Sequence, residues 1–402
     1  VYAKLKKQAH YYNYRQPTLG DLLSDIRTDG WGSALAMRSA WARMRMNRTD
    51  LSDVTGATYT FLMNGQPPAG NWTGLFRPGE RVRLRFINAG AMTYFDVRIP
   101  GLPMQVVAAD GQYVHPTTID EFRIASGETV DVLVEPAGQD AYTIYAQSMD
   151  RSGFAAGTLA TRTGLCAPVP DTDPRPVLTM DDMGHGEHAG MDMVPPVVEP
   201  DEGGAHQGHT PAAPMSRAAA DDADAMAGMT THPAAERGNP LVDMQAMHPR
   251  ARLDDPGIGL RQNGRRVLTY ADLRTRFEDA DGREPSREVE VHLTGHMERF
   301  VWSLDGVKYA DAEPLHLTYG ERMRIVMVND TMMGHPMHLH GLWSDLEDEQ
   351  GRFQLRKHII DMPPGTRRSF RVRADALGRW AFHCHLAYHM AAGMFREVRV
   401  DL

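Results

Sequence analysis

A single cysteine flanked by two histidines constrains this chain more than any other feature of its sequence. The run His383-Cys384-His385 is followed by His389 and Met394. If the run is extended, Cys384 faces away from both neighbouring histidines, because side chains alternate between the two faces of a strand. His389 and Met394 return on the following turn and can join Cys384. The pattern predicts donors for two metal centres on opposite faces of one strand.

A second motif, at residues 335–341, carries three more histidines. In an extended segment His338 and His340 share one face, while His335, at odd spacing, takes the other. We therefore expect His335 to meet Cys384, His389 and Met394. The opposite face collects four imidazoles, which are His338, His340, His383 and His385.

These two donor sets favour copper. Two histidines and one cysteine with a weak axial thioether are the ligands of a blue copper site. Zinc is the alternative, but it closes as a tetrahedron of cysteine and histidine, and the two motifs offer too many histidines for one tetrahedron. The 25 methionines and 18 histidines of the chain also suit copper in its two oxidation states. The Cys384 peptide links give electrons a short covalent route to His383 and His385.

The overall composition argues against other partners. The 402 residues carry a formal net charge of −9, so no basic surface is predicted to follow a phosphate backbone, and nucleic acid is not an expected partner. No run approaches the roughly 18 apolar residues of a membrane span. Of the two cysteines, Cys166 is expected to be an exposed free thiol.

Short alternating strand patterns predict an all-β chain with a few short helices. Residues 1–56 form a helical connector, with two helices broken near Gly30 and Gly32. Residues 57–165 and 251–402 are strand-rich and predict two β-sandwiches. The two sandwiches share a similar segment, residues 78–88 and 319–329. Each segment has Gly-Glu-Arg from its second residue and ends at asparagine, which indicates an internal repeat.

Residues 166–250 lose this periodicity, and their composition predicts a flexible, disordered linker rich in methionine and histidine. A disordered segment has no core for methionine to fill, so capture of cuprous ions is the better interpretation of these side chains. The densest candidates are Met180, Met183, His185, His188, Met191 and Met193.

Five other histidines are isolated or loosely paired. We interpret them as ordinary hydrogen-bonded histidines and not as metal ligands. They are His115, His292, His296, His316 and His358.

At the two histidine motifs the chain resembles the bacterial periplasmic copper-resistance multicopper oxidases, the copper resistance protein A family. Residues 59–65, 71–76 and 96–101 and the methionine-rich linker are similar as well. The resemblance implies cupredoxin-like Greek-key domains, copper as cofactor and a periplasmic location with other copper-resistance proteins as candidate partners. It implies a type 1 copper that takes electrons from substrate and a type 2/type 3 cluster that reduces dioxygen to water.

The same resemblance assigns roles by motif match. The type 1 ligands are His335, Cys384, His389 and Met394, the type 2 ligand is His338, and the type 3 ligands are His340, His383 and His385. Cys384, His383 and His385 are thereby the candidate catalytic residues of electron transfer.

The chain departs from the family pattern at one point. The family completes its cluster with two further His-x-His pairs from an N-terminal cupredoxin domain, and no such pair precedes His335. We therefore expect that this chain lacks the N-terminal cupredoxin domain. It should hold the type 1 copper but not a complete oxygen site. Oxidation of cuprous ion is the first functional hypothesis and oxidation of phenols the second; the third is a non-catalytic copper-binding or electron-transfer protein.

Overall fold

The computed structural model describes residues 18–43, 47–185 and 230–402. Helix α1 covers Leu19–Arg43 but is interrupted at Gly30, whose φ of 82° and ψ of 162° are not helical. The predicted break between two helices therefore falls at this glycine, since a positive φ carries no steric cost there. Within the described ranges, no helix is long and apolar enough to cross a membrane.

Nine strands build the first sandwich from two sheets. Its sheets have the strand orders β1-β9-β8-β3-β6 and β2-β7-β4-β5. The strands are β1 Trp72–Leu75, β2 Val82–Ile87, β3 Phe95–Arg98, β4 Met104–Ala109, β5 Gln112–Ile119, β6 Glu121–Ile124, β7 Thr129–Val134, β8 Ala141–Ser148 and β9 Phe154–Ala160.

Eleven strands build the second sandwich, and helix α2, Ala387–Ala391, lies between its last two strands. Its sheets have the orders β11-β10-β13-β18-β15-β16 and β12-β20-β19-β14-β17. The strands are β10 Arg287–His296, β11 Val301–Leu304, β12 Leu315–Thr318, β13 Arg322–Asn329, β14 His335–Leu339, β15 Ser344–Glu347, β16 Phe353–Lys357, β17 Ile359–Met362, β18 Arg367–Arg373, β19 Gly378–Cys384 and β20 Phe395–Asp401. The predicted all-β class with two sandwiches is confirmed.

The asparagine that ends the internal repeat makes equivalent hydrogen bonds in both sandwiches. Strand β13 ends at Asn329, whose side-chain amide donates to the carbonyls of Met333 and Met362, both at 2.8 Å. Asn88 directly follows β2 and donates to two carbonyls of the first sandwich, at 2.7 and 3.0 Å. Each asparagine is buried, so each ties a strand end to the loop that follows it.

Much of the predicted linker is ordered, which corrects the prediction of disorder for residues 166–185 and 230–250. Leu178, Met183 and Ala246 are at most 1% exposed, and Met180 and Met244 are also buried. These side chains are part of the hydrophobic core. The free energy gained by burying them therefore orders the segment in spite of its many polar residues. Residues 186–229 lie outside the described residues.

Residues 251–286, which the sequence assigned to the second sandwich, also contact the first. Val267 bridges to Glu121, and Thr275 bridges to Val114. The Arg265 guanidinium donates to the Glu121 carboxylate at 2.7 Å. The strands of the second sandwich begin only at β10.

Buried charges join the two sandwiches directly. Lys357 is 1% exposed and lies 2.9 Å from the Asp110 carboxylate and 3.1 Å from that of Glu128. The Tyr94 hydroxyl donates to Asp361 at 2.7 Å. Since breaking one partner of a buried pair strands the other charge, these contacts hold the first sandwich against β16 and β17.

We predict that Asn329→Ala lowers the free energy of unfolding by about 2 to 4 kcal/mol, because two buried carbonyls lose their donor. Urea unfolding followed by tryptophan fluorescence measures the change. The repeat supplies a matched control: Asn88→Ala should cost a similar amount but leave the visible absorption of bound copper unaltered. Equal visible spectra for both variants would show that Asn329 does not hold the loop before His335.

Candidate metal centre

Two neighbouring strands carry both histidine motifs. Strands β14 and β19 pair antiparallel, with Met337 opposite Cys384 and His338 opposite His383. Because facing residues of paired strands project to the same side of the sheet, His338 and His383 share one face and Cys384 takes the other. The alternation expected from the sequence is present.

Three donor atoms converge on the first face, from His335, Cys384 and His389. The Cys384 Sγ lies 3.5 Å from His335 Nδ1 and 3.8 Å from His389 Nδ1. The two Nδ1 atoms are 3.1 Å apart. All three side chains are fully buried. Separations of this size between one thiolate sulfur and two imidazole nitrogens fit ligands that share one copper ion.

Met394 is held beside this centre by its backbone. Its N–H donates to the His389 carbonyl at 3.0 Å, and its carbonyl accepts from the Cys384 N–H at 3.2 Å. Its side chain is fully buried. A turn with a short helix therefore brings Met394 back beside Cys384, and the role of its thioether as a copper ligand stays a prediction.

The outer nitrogen of each imidazole is fixed by a second residue. His389 Nε2 lies 2.8 Å from the carboxylate of Asp53, which is 1% exposed. His335 Nε2 lies 2.7 Å from the Thr331 hydroxyl, which in turn donates to Asn329 at 2.8 Å. Such partners hold a histidine in the tautomer whose other nitrogen can bind metal. Here that nitrogen is Nδ1 in both rings.

Burial disfavours the charged forms of two of these donors, His335 and Cys384. It lowers the pKa of His335 well below the usual value, and the neighbouring His389 lowers this pKa further. Burial also raises the pKa of the Cys384 thiol. A copper ion therefore displaces the thiol proton when it binds, so copper uptake and proton release are coupled.

Trp302 covers the centre. Its ring lies 4.0 Å from that of His389, tilted by 31°, and 5.0 Å from that of His335. The indole is fully buried. Because packed aromatic rings restrict rotation and exclude water, Trp302 fixes both imidazoles in a dry pocket.

The other face of β14 and β19 gathers the remaining four imidazoles. The His338 ring centroid lies 4.5 Å from that of His340, 5.7 Å from that of His383 and 5.9 Å from that of His385. His340 Nε2 and His383 Nε2 face each other at 3.0 Å. The predicted group of four histidines is therefore formed, back to back with the centre at Cys384.

Backbone contacts turn the Nε2 atoms of this cluster inward. His338 Nδ1 lies 2.6 Å from the His358 carbonyl, and His383 Nδ1 lies 2.9 Å from the Cys384 carbonyl. Burial lowers the pKa of His338 to about 4, and it also lowers the pKa of His383 and His385. The rings are neutral at physiological pH and fit a copper cluster.

The first sandwich reaches this cluster through the turn between β6 and β7. The Ser126 hydroxyl lies 3.3 Å from His385 Nδ1. Gly127 has a φ of +84°, and a Cβ atom there would meet the His385 ring at 2.8 Å and Ile359 at 2.4 Å. Only glycine permits this close approach.

The predicted cuprous-ion ligands of the linker do not form an open site. Met180 and Met183 are 4% and 0% exposed and belong to the hydrophobic core. His185 is buried as well, and burial lowers its pKa. These two thioethers pack among apolar side chains and not in an exposed group of donors, which corrects the prediction of an open capture site for this pair. His188, Met191 and Met193 lie outside the described residues.

Sequence reasoning missed Asp53, Thr331 and Trp302. Asp53 precedes its histidine partner by more than 300 positions, and no local pattern marks it. Thr331 lies four residues before His335, so its spacing was the one available signal. Cys166 is an exposed free thiol, as expected.

The fold and the two centres define a class of copper oxidoreductase. Models of the multicopper oxidase family match residues 35–164 and 282–402, which include both sandwiches. A chain with two such domains and a His-Cys-His copper centre is a multicopper oxidase, with copper as its cofactor.

Curated relatives identify the family more narrowly. Copper resistance protein A of Escherichia coli is 61% identical over 99% of this chain and 68% of its own length. Copper resistance protein A of Pseudomonas syringae pv. tomato is also 61% identical, again over 99% of this chain and 68% of its own length. The chain therefore belongs to the copper resistance protein A family.

Solved structures confirm the fold at lower similarity. Fet3p, a multicopper oxidase that functions in iron import, aligns with a TM-score of 0.53 and 14% identity over 82% of this chain and 57% of its own. The L499M mutant of the B. aclada laccase aligns with a TM-score of 0.51 and 16% identity over 82% and 53% of the two chains. Both sandwiches are cupredoxin-like.

We predict that Cys384→Ser removes the intense visible absorption of the copper-loaded protein, because that band requires a copper–thiolate bond. Absorption spectra after loading with cupric ion test this. Cys166→Ser changes the other, exposed cysteine and should leave the band intact. A blue Cys384→Ser protein would place the copper elsewhere.

Proposed function

We propose that the protein oxidises cuprous ions in copper resistance and uses dioxygen as the final acceptor. His335, Cys384, His389 and Met394 would hold the type 1 copper. The type 2/type 3 cluster would be held in part by His338, His340, His383 and His385. When bound, copper supplies one-electron oxidation at the first centre and reduction of dioxygen to water at the second.

The observation that carries this proposal is the back-to-back arrangement on β19. Cys384 contributes its sulfur to one face, while His383 and His385 contribute imidazoles to the other. The two groups of donors are thus joined by single peptide links. The His383 Nδ1 contact to the Cys384 carbonyl, at 2.9 Å, adds a second short connection. A short bonded route of this kind favours transfer of electrons over release of reactive intermediates.

Asp53 acts in this proposal as a positioning residue. Its buried carboxylate holds the His389 Nε2 proton and places negative charge beside the three-donor centre. Negative charge stabilises the more positive, oxidised state of a nearby metal. It also favours approach of a cation, which supports cuprous ion as the substrate over neutral phenols.

We predict that Asp53→Asn leaves the blue absorption in place and raises the reduction potential of the type 1 copper, because a negative charge beside the metal is lost. Cuprous-ion oxidation should nevertheless slow at least about tenfold, because loss of the outer partner that orients His389 outweighs the larger driving force. Redox titration and stopped-flow reduction by cuprous ion measure the two effects. Asp311→Asn, an exposed carboxylate near Lys308, is the control and should change neither. An unchanged potential and rate would show that Asp53 does not influence electron entry at the type 1 copper. If the wild type turned over a phenol faster than cuprous ion, phenols would be the better substrate and the proposed substrate would be wrong.

A non-catalytic copper-binding or electron-transfer protein is the second candidate. Its support is that the four clustered histidines provide only part of the ligand set that the family implies for its oxygen site. In that role the buried, preorganised donors at Cys384 would exchange one electron with a partner, and the four imidazoles would store copper.

Copper counting with oxygen uptake separates the two candidates. For residues 1–402 alone we predict one tightly bound blue copper, no strongly coupled copper pair and little oxygen consumption, because four imidazoles are too few for three copper ions. The proposed use of dioxygen therefore requires the further His-x-His ligands that the family implies, and oxygen uptake that appears only when these are supplied favours the oxidase over the non-catalytic candidate. Metal analysis, electron paramagnetic resonance and an oxygen electrode provide the three readings. Robust oxygen uptake by this chain would show that its own residues complete the cluster. A periplasmic location and copper-resistance partners belong to the same proposal and rest on the family alone.

A further inference from the structure

A second group of convergent metal-binding side chains lies apart from the two centres described above. It consists of His232, Glu236, His292 and Asp330, whose nearest donor atoms all lie within 4.8 Å of one another. Its members come from three places: the chain just after residue 230, strand β10, and the loop after β13. From the sequence, His292 was expected to be an ordinary histidine and His232 belonged to the linker predicted to capture cuprous ions, while Glu236 and Asp330 had no predicted role.

The distances within this group resemble those between ligands of one ion. His232 Nδ1 lies 3.3 Å from Glu236 Oε2 and 3.3 Å from Asp330 Oδ2. Donors around a tetrahedral ion with bonds of about 2.0–2.1 Å are separated by about 3.3–3.4 Å. His292 Nδ1 lies 3.8 Å from Glu236 Oε1 and 2.6 Å from Asp330 Oδ2, so only the last contact must widen.

Each member is oriented by an outer partner. His232 Nε2 lies 3.2 Å from the Ala246 carbonyl, and His292 Nε2 lies 3.2 Å from the Glu290 carboxylate. These contacts leave both Nδ1 atoms turned toward the carboxylates. An imidazole that donates outward to a carbonyl or carboxylate is the usual arrangement of a metal-bound histidine.

The carboxylates are oriented in the same way. The Ala246 N–H donates to Asp330 Oδ1 at 2.7 Å, which leaves Oδ2 for the group. The Gln245 side chain donates to Glu236 Oε2 at 2.9 Å. Among the described residues, two buried atoms that face the group have no hydrogen-bond partner, Glu236 Oε1 and His232 Nδ1.

The group is buried and contains two carboxylates. The Glu236 and Asp330 side chains are fully buried, and those of His292 and His232 are 1% and 9% exposed. Burial lowers the pKa of His232, but Asp330 and Glu236 outweigh it and raise this pKa to about 10. A divalent cation would take the place of this proton between the two carboxylates, so metal binding here releases a proton and strengthens as the pH rises.

We propose that His232, Glu236, His292 and Asp330 form a separate binding site for a divalent transition-metal ion such as zinc or cupric ion. Two imidazoles and two carboxylates are borderline and hard donors, which select divalent ions over cuprous ion. The site lacks the thiolate of the first centre, so bound cupric ion would not be blue. It would clamp residues 232–236 onto the second sandwich.

The site also touches the loop that supports the first centre. Asp330 lies between Asn329 and Thr331, and Thr331 contacts His335 Nε2 at 2.7 Å. Binding at Asp330 therefore stabilises the loop that positions His335. An ion here stabilises the folded protein in proportion to its occupancy, because the unfolded chain does not assemble these four donors.

Zinc binding tests this site in protein loaded with one equivalent of copper, which the centre at Cys384 takes up. Zinc held by the four imidazoles of β14 and β19 is the same in wild type and variants, so the difference between them reports on the proposed site. We predict that Glu236→Gln and His232→Gln bind one zinc ion fewer per chain than the wild type, or bind that ion at least about 100-fold more weakly, because removal of an outer partner alone weakens a metal site about 10- to 100-fold. Titration calorimetry and metal analysis after dialysis measure both quantities.

His316→Gln is the matched control, because His316 is exposed on β12 and pairs only loosely with Asp401, at 3.6 Å. It should bind zinc like the wild type. Retained blue absorption in every variant shows that the second sandwich is folded. Wild-type zinc stoichiometry and affinity in both Glu236→Gln and His232→Gln would overturn the proposal and leave the group as a buried ion-pair cluster.

X-ray absorption at the zinc edge of the wild type supplies a measurement that needs no variant. We expect a first shell of nitrogen and oxygen with the scattering of two imidazoles. A sulfur-containing shell, or the lack of any tightly bound zinc on copper-loaded protein, would also overturn the proposal. Neither measurement depends on oxidase activity. The proposed function can therefore be disproved without affecting this site, and the site can be disproved without affecting the proposed function.

Discussion

The antiparallel pairing of β14 with β19 is the constraint on which the rest of the copper chemistry depends. Its register places Met337 opposite Cys384 and His338 opposite His383. A shift by one residue would move every donor to the other face and dissolve both centres at once. Much of the second sandwich serves this register: β17 pairs with the other side of β14, β20 pairs with the other side of β19, and Asn329 ties down the loop that leads into His335.

Burial gives these donors their chemical character. The His335 imidazole and the Cys384 thiol are withdrawn from water and remain neutral, so neither adds a buried charge before a cation binds. The outer contacts from Asp53 and Thr331 then decide which nitrogen of each ring is available. The first sandwich contributes at two points, since Ser126 and Gly127 contact His385 on the opposite face. The centres are therefore a property of both sandwiches, although most donors come from one.

The chain between the sandwiches has a larger structural role than its composition suggests. Met180, Met183 and Met244 are packed in the core, and His232 and Glu236 meet β10 and the end of β13. Ordinary methionine packing accounts for the first group. The second is a polar cluster with two carboxylates and two imidazoles in a buried place, and a metal ion would balance its charges better than hydrogen bonds alone. The connecting segment thus packs against the second sandwich beside the loop that precedes His335.

The sequence by itself determined which histidines lie with Cys384 and which lie on the opposite face, because alternation along a strand is a local property that residues 335–340 and 383–385 display without any partner. It also determined the all-β class and the repeat that ends at Asn88 and Asn329. Tertiary structure alone decided that Asp53 and Trp302 complete the first centre, that residues 166–185 and 230–250 are packed, and that His292 meets His232. These contacts join positions far apart in the chain, and no local period encodes which distant side chain will fill a given space.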